Sequence, residues 1–75
     1  MSTVRKLNES ALRGIYDAYM HEAFPPAELK PLAVMLRLME RGRYLCYGYY
    51  RNGRLAAYAF FYRHDSRVLL LDYLP

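Results

Sequence analysis

Asn52-Gly53 constrains this chain more than any other feature. The dipeptide stands between two β-rich runs, RYLCYGYY from Arg43 and RLAAYAFFY from Arg54, and so flanked it is the preferred two-residue hairpin connection, a type I′ turn. With Arg51 opposite Arg54, an uninterrupted ladder sets Tyr50 against Leu55, Gly48 against Ala57, Cys46 against Ala59 and Tyr44 against Phe61 on one face. The other face then carries Tyr49 with Ala56, Tyr47 with Tyr58, and Leu45 with Phe60. Small side chains at Cys46, Gly48, Ala57 and Ala59 are expected to let a helix approach closely, and the aromatic face expects cover of its own.

The elements before the hairpin follow from caps and breakers. Thr3 to Leu7 reads as a first strand, after which Asn8 is a good N-cap with Glu9 in the favourable first turn. Leu12, Ile15, Tyr16, Tyr19 and Met20 recur at helical spacing as a core stripe. Phe24-Pro25-Pro26 ends that helix, since proline has no N–H to donate and disfavours helix in the residue before it. A second helix is expected from Pro31 to Arg41 with Gly42 as its left-handed stop. Its core stripe is Leu32, Met35, Leu36 and Met39, with a further apolar strip at Val34 and Leu38.

After the hairpin, His64-Asp65-Ser66 supplies a polar turn and a last strand runs from Arg67 to Leu74. The expected order is β-α-α-β-β-β, an α+β class with an antiparallel sheet and two helices in one domain over residues 1–75. Val68 to Leu71 is an unbroken apolar run of the kind found in strands buried on both faces. Two helices cover only one face of a sheet, and an open apolar edge invites association. The expectation is therefore a neighbour for this strand: residues outside these 75, a second chain, or a second copy pairing through Val68 to Leu74.

Composition narrows the class. At 75 residues and 55% apolar content the chain is one small globular domain, burying only about 60% of its unfolded surface. No segment approaches the roughly 18 continuous apolar residues of a membrane span. The opening MSTVRKLNES has no signal-peptide core, and the single Cys46 has no partner for an internal disulfide; both lead to the expectation of a cytoplasmic protein. With only His21 and His64 beside it, Cys46 has no zinc ligand set. The net charge of +4 is spread along the chain, which reads first as solubility and second as affinity for an anionic partner.

In order and spacing, the opening strand and helix, the FPPAELKPL connection, the RGRYLCYGYYRNGRLAAYAFFYR hairpin and the LLLDYL strand resemble the N-terminal half of the GNAT family of N-acetyltransferases. The resemblance covers essentially the whole chain. In that family the last of these strands leads into a small residue, valine, and an Arg/Gln-x-x-Gly-x-Gly/Ala loop that binds the pyrophosphate of acetyl-CoA at a helix N-terminus. Here Pro75 stands at the small-residue position, and Gly14, Gly42, Gly48 and Gly53 form no such pattern. The resemblance thus implies the acceptor side of an acetyltransferase, inactive by itself, with acetyl-CoA bound only when a complementary C-terminal half is present.

It also implies candidate residues. Phe24, Pro25 and Glu28 fall where the helix connection lines the acceptor groove; an exposed acid such as Glu28 also fits a plain surface role near a helix start. Asp72 lies on the strand where family members often carry a carboxylate that takes a proton from the amine, because an ammonium is not a nucleophile. A structural role, capping or pairing with a nearby Arg, is the simpler reading of Asp72. Cys46 reads as a buried small residue, and His21 and His64 as solvated. Nine tyrosines on a basic sheet raise single-strand nucleic-acid binding. That alternative is the weaker one, because RLAAYAFFYR lacks the glycine and aromatic spacing of an RNP1 motif.

Overall fold

The computed structural model describes residues 1–74; Pro75, and the expectation attached to it, lie outside the described residues. Strand β1 is Ser2–Lys6. Helix α1 begins as Glu9–Ile15, widens into a π-helical stretch over Tyr16–Met20 and closes with a turn at His21–Ala23. Asn8 caps it, with Oδ1 accepting from Ala11 N–H at 2.9 Å. Helix α2 is Leu32–Glu40, followed by β2 (Tyr44–Arg51), β3 (Arg54–Arg63) and β4 (Leu69–Tyr73). The four strands form one antiparallel sheet in the order β1-β2-β3-β4. The α+β class and the β-α-α-β-β-β order are as the sequence predicts.

Local signals act where the sequence places them. Gly42 takes φ +72° and closes α2 in a Schellman motif, with Arg43 N–H donating to Leu38 C=O and Gly42 N–H to Met39 C=O. Asn52 and Gly53 both have positive φ, 52° and 80°, as a type I′ turn requires. Asn52 also accepts the N-terminal ammonium on Oδ1 at 2.7 Å, fixing the start of β1 against the hairpin. Asp65 Oδ1 accepts from the N–H groups of Arg67 and Val68, an Asx turn that feeds β4.

The hairpin register differs from the uninterrupted ladder. Arg51 faces Arg54 and Tyr50 faces Leu55, but Tyr49 then faces Ala57, so Ala56 is an extra residue bulged out of β3. From there on every pair is shifted by one: Gly48 faces Tyr58, Cys46 faces Phe60 and Tyr44 faces Tyr62. Because side chains alternate with period two, the bulge turns Tyr58 and Phe60 toward the helices and Ala57 and Ala59 away. The close-packed helix face is thus built of aromatics from β3, contrary to the small-residue face expected from sequence.

That face holds one core: Leu7, Leu12, Ile15, Tyr16, Met20, Met35, Tyr44, Cys46, Tyr58, Phe60 and Tyr73. Phe60 packs edge-on to Tyr44 and to Tyr73 at centroid distances of 6.0 and 6.3 Å. The π-helical stretch has its own consequence. Each π turn takes more residues than an α turn, so the stripe slips: Met20 is fully buried while Tyr19, expected in the core, is 49% exposed.

β4 is a margin strand, with β3 as its single neighbour. The interior position expected of it is not met within residues 1–74, and Leu69, Leu70 and Leu71 are exposed. Tyr73 is the exception, buried against Phe60 and Phe24. The far face of the sheet carries a shallow apolar furrow of about 190 Å³ between Val4, Tyr47, Tyr49, Ala57, Ala59 and Leu74.

Tyr58 is 5% exposed, and its hydroxyl is buried with no hydrogen-bond partner among the described residues. A buried hydroxyl left unsatisfied costs stability that an isosteric apolar ring does not. Tyr58→Phe is therefore expected to stabilise the fold by about 1 kcal/mol in urea unfolding; a loss of stability would mean that the hydroxyl has a partner.

Candidate functional site

A second bulge builds the site. Tyr73 faces Phe60 and Leu71 faces Phe61, which leaves Asp72 as the extra residue on β4. Asp72 and Tyr73 therefore both address the helix side, where strict alternation would send one of them away. Asp72 Oδ2 accepts from Tyr44 Oη at 2.5 Å and from Lys30 Nζ at 2.7 Å. The Lys30 ammonium also lies 5.2 Å from the centroid of the Tyr44 ring, within cation–π range. Each side chain of the Lys30–Asp72 pair keeps 28% of its surface in solvent.

The connection between the helices is held over β4 by hydroxyl groups. Tyr16 Oη donates to Lys30 C=O at 2.9 Å. Tyr73 Oη accepts from Lys30 N–H at 2.6 Å and donates to Glu28 C=O at 2.9 Å. The Phe24 ring stands edge-on to Tyr73 at 4.9 Å. Of the residues expected at an acceptor groove, Phe24 and the Glu28 backbone carbonyl thus meet at Tyr73, while the candidate base Asp72 bonds to Lys30 and Tyr44. The Glu28 side chain and Pro25 are exposed. Beside them, Tyr16, His21, Phe24, Pro26, Leu29 and Pro31 line a cavity of about 260 Å³.

A larger cavity, about 340 Å³, lies between the end of α1 and the bulged start of β3, lined by Tyr19, Glu22, Ala23 and Leu55 to Tyr58.

Asp72 does form a structural pair, with Lys30 in place of the expected Arg. Neither Lys30 nor Tyr44 is readable as its partner from sequence. Lys30 is 42 residues away in a loop with no periodicity, and Tyr44 takes its neighbours from the shifted register. Burial, with Asp72 hydrogen-bonded to its hydroxyl, pushes the Tyr44 pKa strongly upward. Cys46 is likewise buried, and burial first and the Asp72 charge second push its thiol up to about 12. It is a packed side chain, not a nucleophile. Among the described residues no group of His, Cys, Asp and Glu is placed to hold a metal ion, and no helix is long and apolar enough to cross a membrane. No family model, curated protein or solved structure matches the chain.

The raised values set an alkaline limit. A group whose folded pKa exceeds its unfolded one stabilises fully below the unfolded value and loses that contribution as pH rises toward the folded one. Stability is therefore expected to fall from pH 9.0, the ordinary value of the Cys46 thiol, up to about 12. Cys46→Ala should make that decline shallower in urea unfolding across this range. An unchanged slope would show that the thiol titrates alike in both states.

Proposed function

We propose that this chain is the acceptor side of an acetyltransferase-type fold, binding a primary amine and relieving it of a proton at Asp72. The observation that carries the reading is the Asp72 carboxylate, which already holds a primary ammonium at 2.7 Å beside the exposed strand β4. An amine attacks a carbonyl only through its free lone pair, so an ammonium must first lose a proton. A part-exposed carboxylate in hydrogen-bond contact holds the ammonium in its charged form, so the proton leaves only as the amine enters the reaction, to Asp72 or through it to water. Phe24, Pro25 and Glu28 would flank the entering amine from the helix connection. Tyr44 fixes the carboxylate's direction through its hydroxyl.

The acetyl donor is a separate matter. The pyrophosphate of acetyl-CoA needs a run of free backbone N–H groups opening a helix. Gly14 lies inside α1, Gly42 closes α2, Gly48 is internal to β2 and Gly53 completes the hairpin. These residues do not fit acetyl-CoA, and the reading assigns that cofactor to a complementary C-terminal half lying against β4. It also sets the protein in the cytoplasm, where a free thiol such as Cys46 stays reduced.

The test is the polypeptide encoded when the reading frame is followed past codon 75 and expressed with this segment. Acetyl-CoA-dependent acetylation of a panel of primary amines is expected, and Asp72→Asn should lower kcat/KM by about 10²–10⁴-fold. An active protein indifferent to Asp72→Asn, or a continuous frame with no acetyl-CoA binding, contradicts the reading.

The exposure of Leu69, Leu70 and Leu71 favours one further reading, a non-enzymatic module that pairs with its own copy through β4. On that reading light scattering of the 75-residue chain gives a dimer mass that Leu70→Lys returns to monomer. A monomer at high concentration excludes it.

A further inference from the structure

We infer that Asp72 and the Tyr44 ring form a recognition site for a primary ammonium group, and that Lys30 occupies it from within the chain, in the place an external alkylammonium takes when that side chain is removed. The inference rests on the acceptor reading's assignment of Asp72 but needs no transfer step: it concerns binding alone, so it stands even where transfer fails.

The site has the two parts that select an ammonium. Asp72 Oδ2 supplies charge and a hydrogen-bond acceptor at 2.7 Å from Nζ, and the Tyr44 ring offers its face 5.2 Å away. Both parts are fixed independently of Lys30. Tyr44 is 1% exposed, edge-on to Phe60, and its hydroxyl holds the same Oδ2 at 2.5 Å. Asp72 is held by the bulge in β4. A site whose walls stay in place is one that a second occupant can use.

Lys30 is anchored by its backbone rather than by its tip. Its N–H donates to Tyr73 Oη and its C=O accepts from Tyr16 Oη, bonds that a shorter side chain leaves intact. The ammonium makes the side chain's polar contact with the site, and the pair is part-solvated, so its exchange with solvent carries a small cost. Truncation at Cβ would leave a slot the length of a propyl chain, open to solvent at one end and closed by Asp72 at the other. A primary ammonium at the tip of such a chain donates to Oδ2 as Nζ does. A quaternary ammonium cannot, and a neutral alcohol of equal length brings no charge.

The experiment is chemical rescue of Lys30→Ala, with thermal unfolding followed by circular dichroism at constant ionic strength. n-Propylammonium is expected to raise the melting midpoint of Lys30→Ala saturably. Neither n-propanol nor tetramethylammonium should do so, and the rise should vanish in the Lys30→Ala/Asp72→Asn double variant. An absent rise, an equal rise with tetramethylammonium, or one that survives loss of Asp72 overturns the inference. Should Lys30→Ala not fold, the wild-type chain supplies the measurement through the ¹⁵N signal of the Lys30 ammonium. Saturable displacement of that signal by n-propylammonium supports the site, and a signal that does not move overturns it.

Discussion

Ala56 decides which side of the sheet carries the core. Strand side chains alternate with period two, so one extra residue in β3 exchanges the faces of everything after it. With the bulge, Tyr58 and Phe60 meet α1 and α2 while Ala57 and Ala59 lie on the far face. Without it Phe61 would take the place opposite Tyr44, and the large ring of Phe60 would point away from the helices. A buried phenylalanine contributes about 1.5–3 kcal/mol in transfer from water, a large share of the stability available to a domain this small. The repeated bulge at Asp72 then brings a carboxylate and the Tyr73 ring to the same side.

What these bulges organise is polar as well as apolar. The loop between the helices has no regular backbone hydrogen bonding to a neighbouring element, and it is held by the hydroxyls of Tyr16 and Tyr73. Each such bond is worth about 1 kcal/mol net, and together they set Lys30 over Asp72. Tyrosine is suited to this double duty, since its ring joins the core and its hydroxyl reaches the loop above. Most of the abundant tyrosines therefore have a structural assignment here, in the core or against it, and the base-stacking alternative gains nothing from them.

The element order is legible in the sequence because each boundary has a local chemical cause: Asn8 at an N-cap, Gly42 at a left-handed stop, Asn52-Gly53 in the hairpin turn, Asp65 in the turn before β4. Bulges and the π-helical stretch have no such marker. Ala56 is an ordinary residue whose displacement is favoured by what it lets Phe60 bury, a tertiary effect invisible to alternation. Tyr19 leaves the predicted stripe for the same kind of reason. Asp72 and Phe24 are singled out in the sequence as candidates, whereas Lys30 and Tyr44 depend on contacts across 42 and 28 residues of chain. The apolar run in β4 is legible as a strand, but its place at the margin is not, since that depends on which neighbours are present.

Sidedness set by two single-residue bulges is the claim on which the core, the Lys30–Asp72 contact and the ammonium site all stand. A nuclear Overhauser spectrum of the folded chain tests it most directly. Cross-peaks between the rings of Tyr44 and Phe60, and between those of Phe60 and Tyr73, are predicted, matching centroid separations of 6.0 and 6.3 Å. Cross-peaks from Tyr44 to Phe61 together with contacts from the Ala59 methyl to Met35 would contradict it.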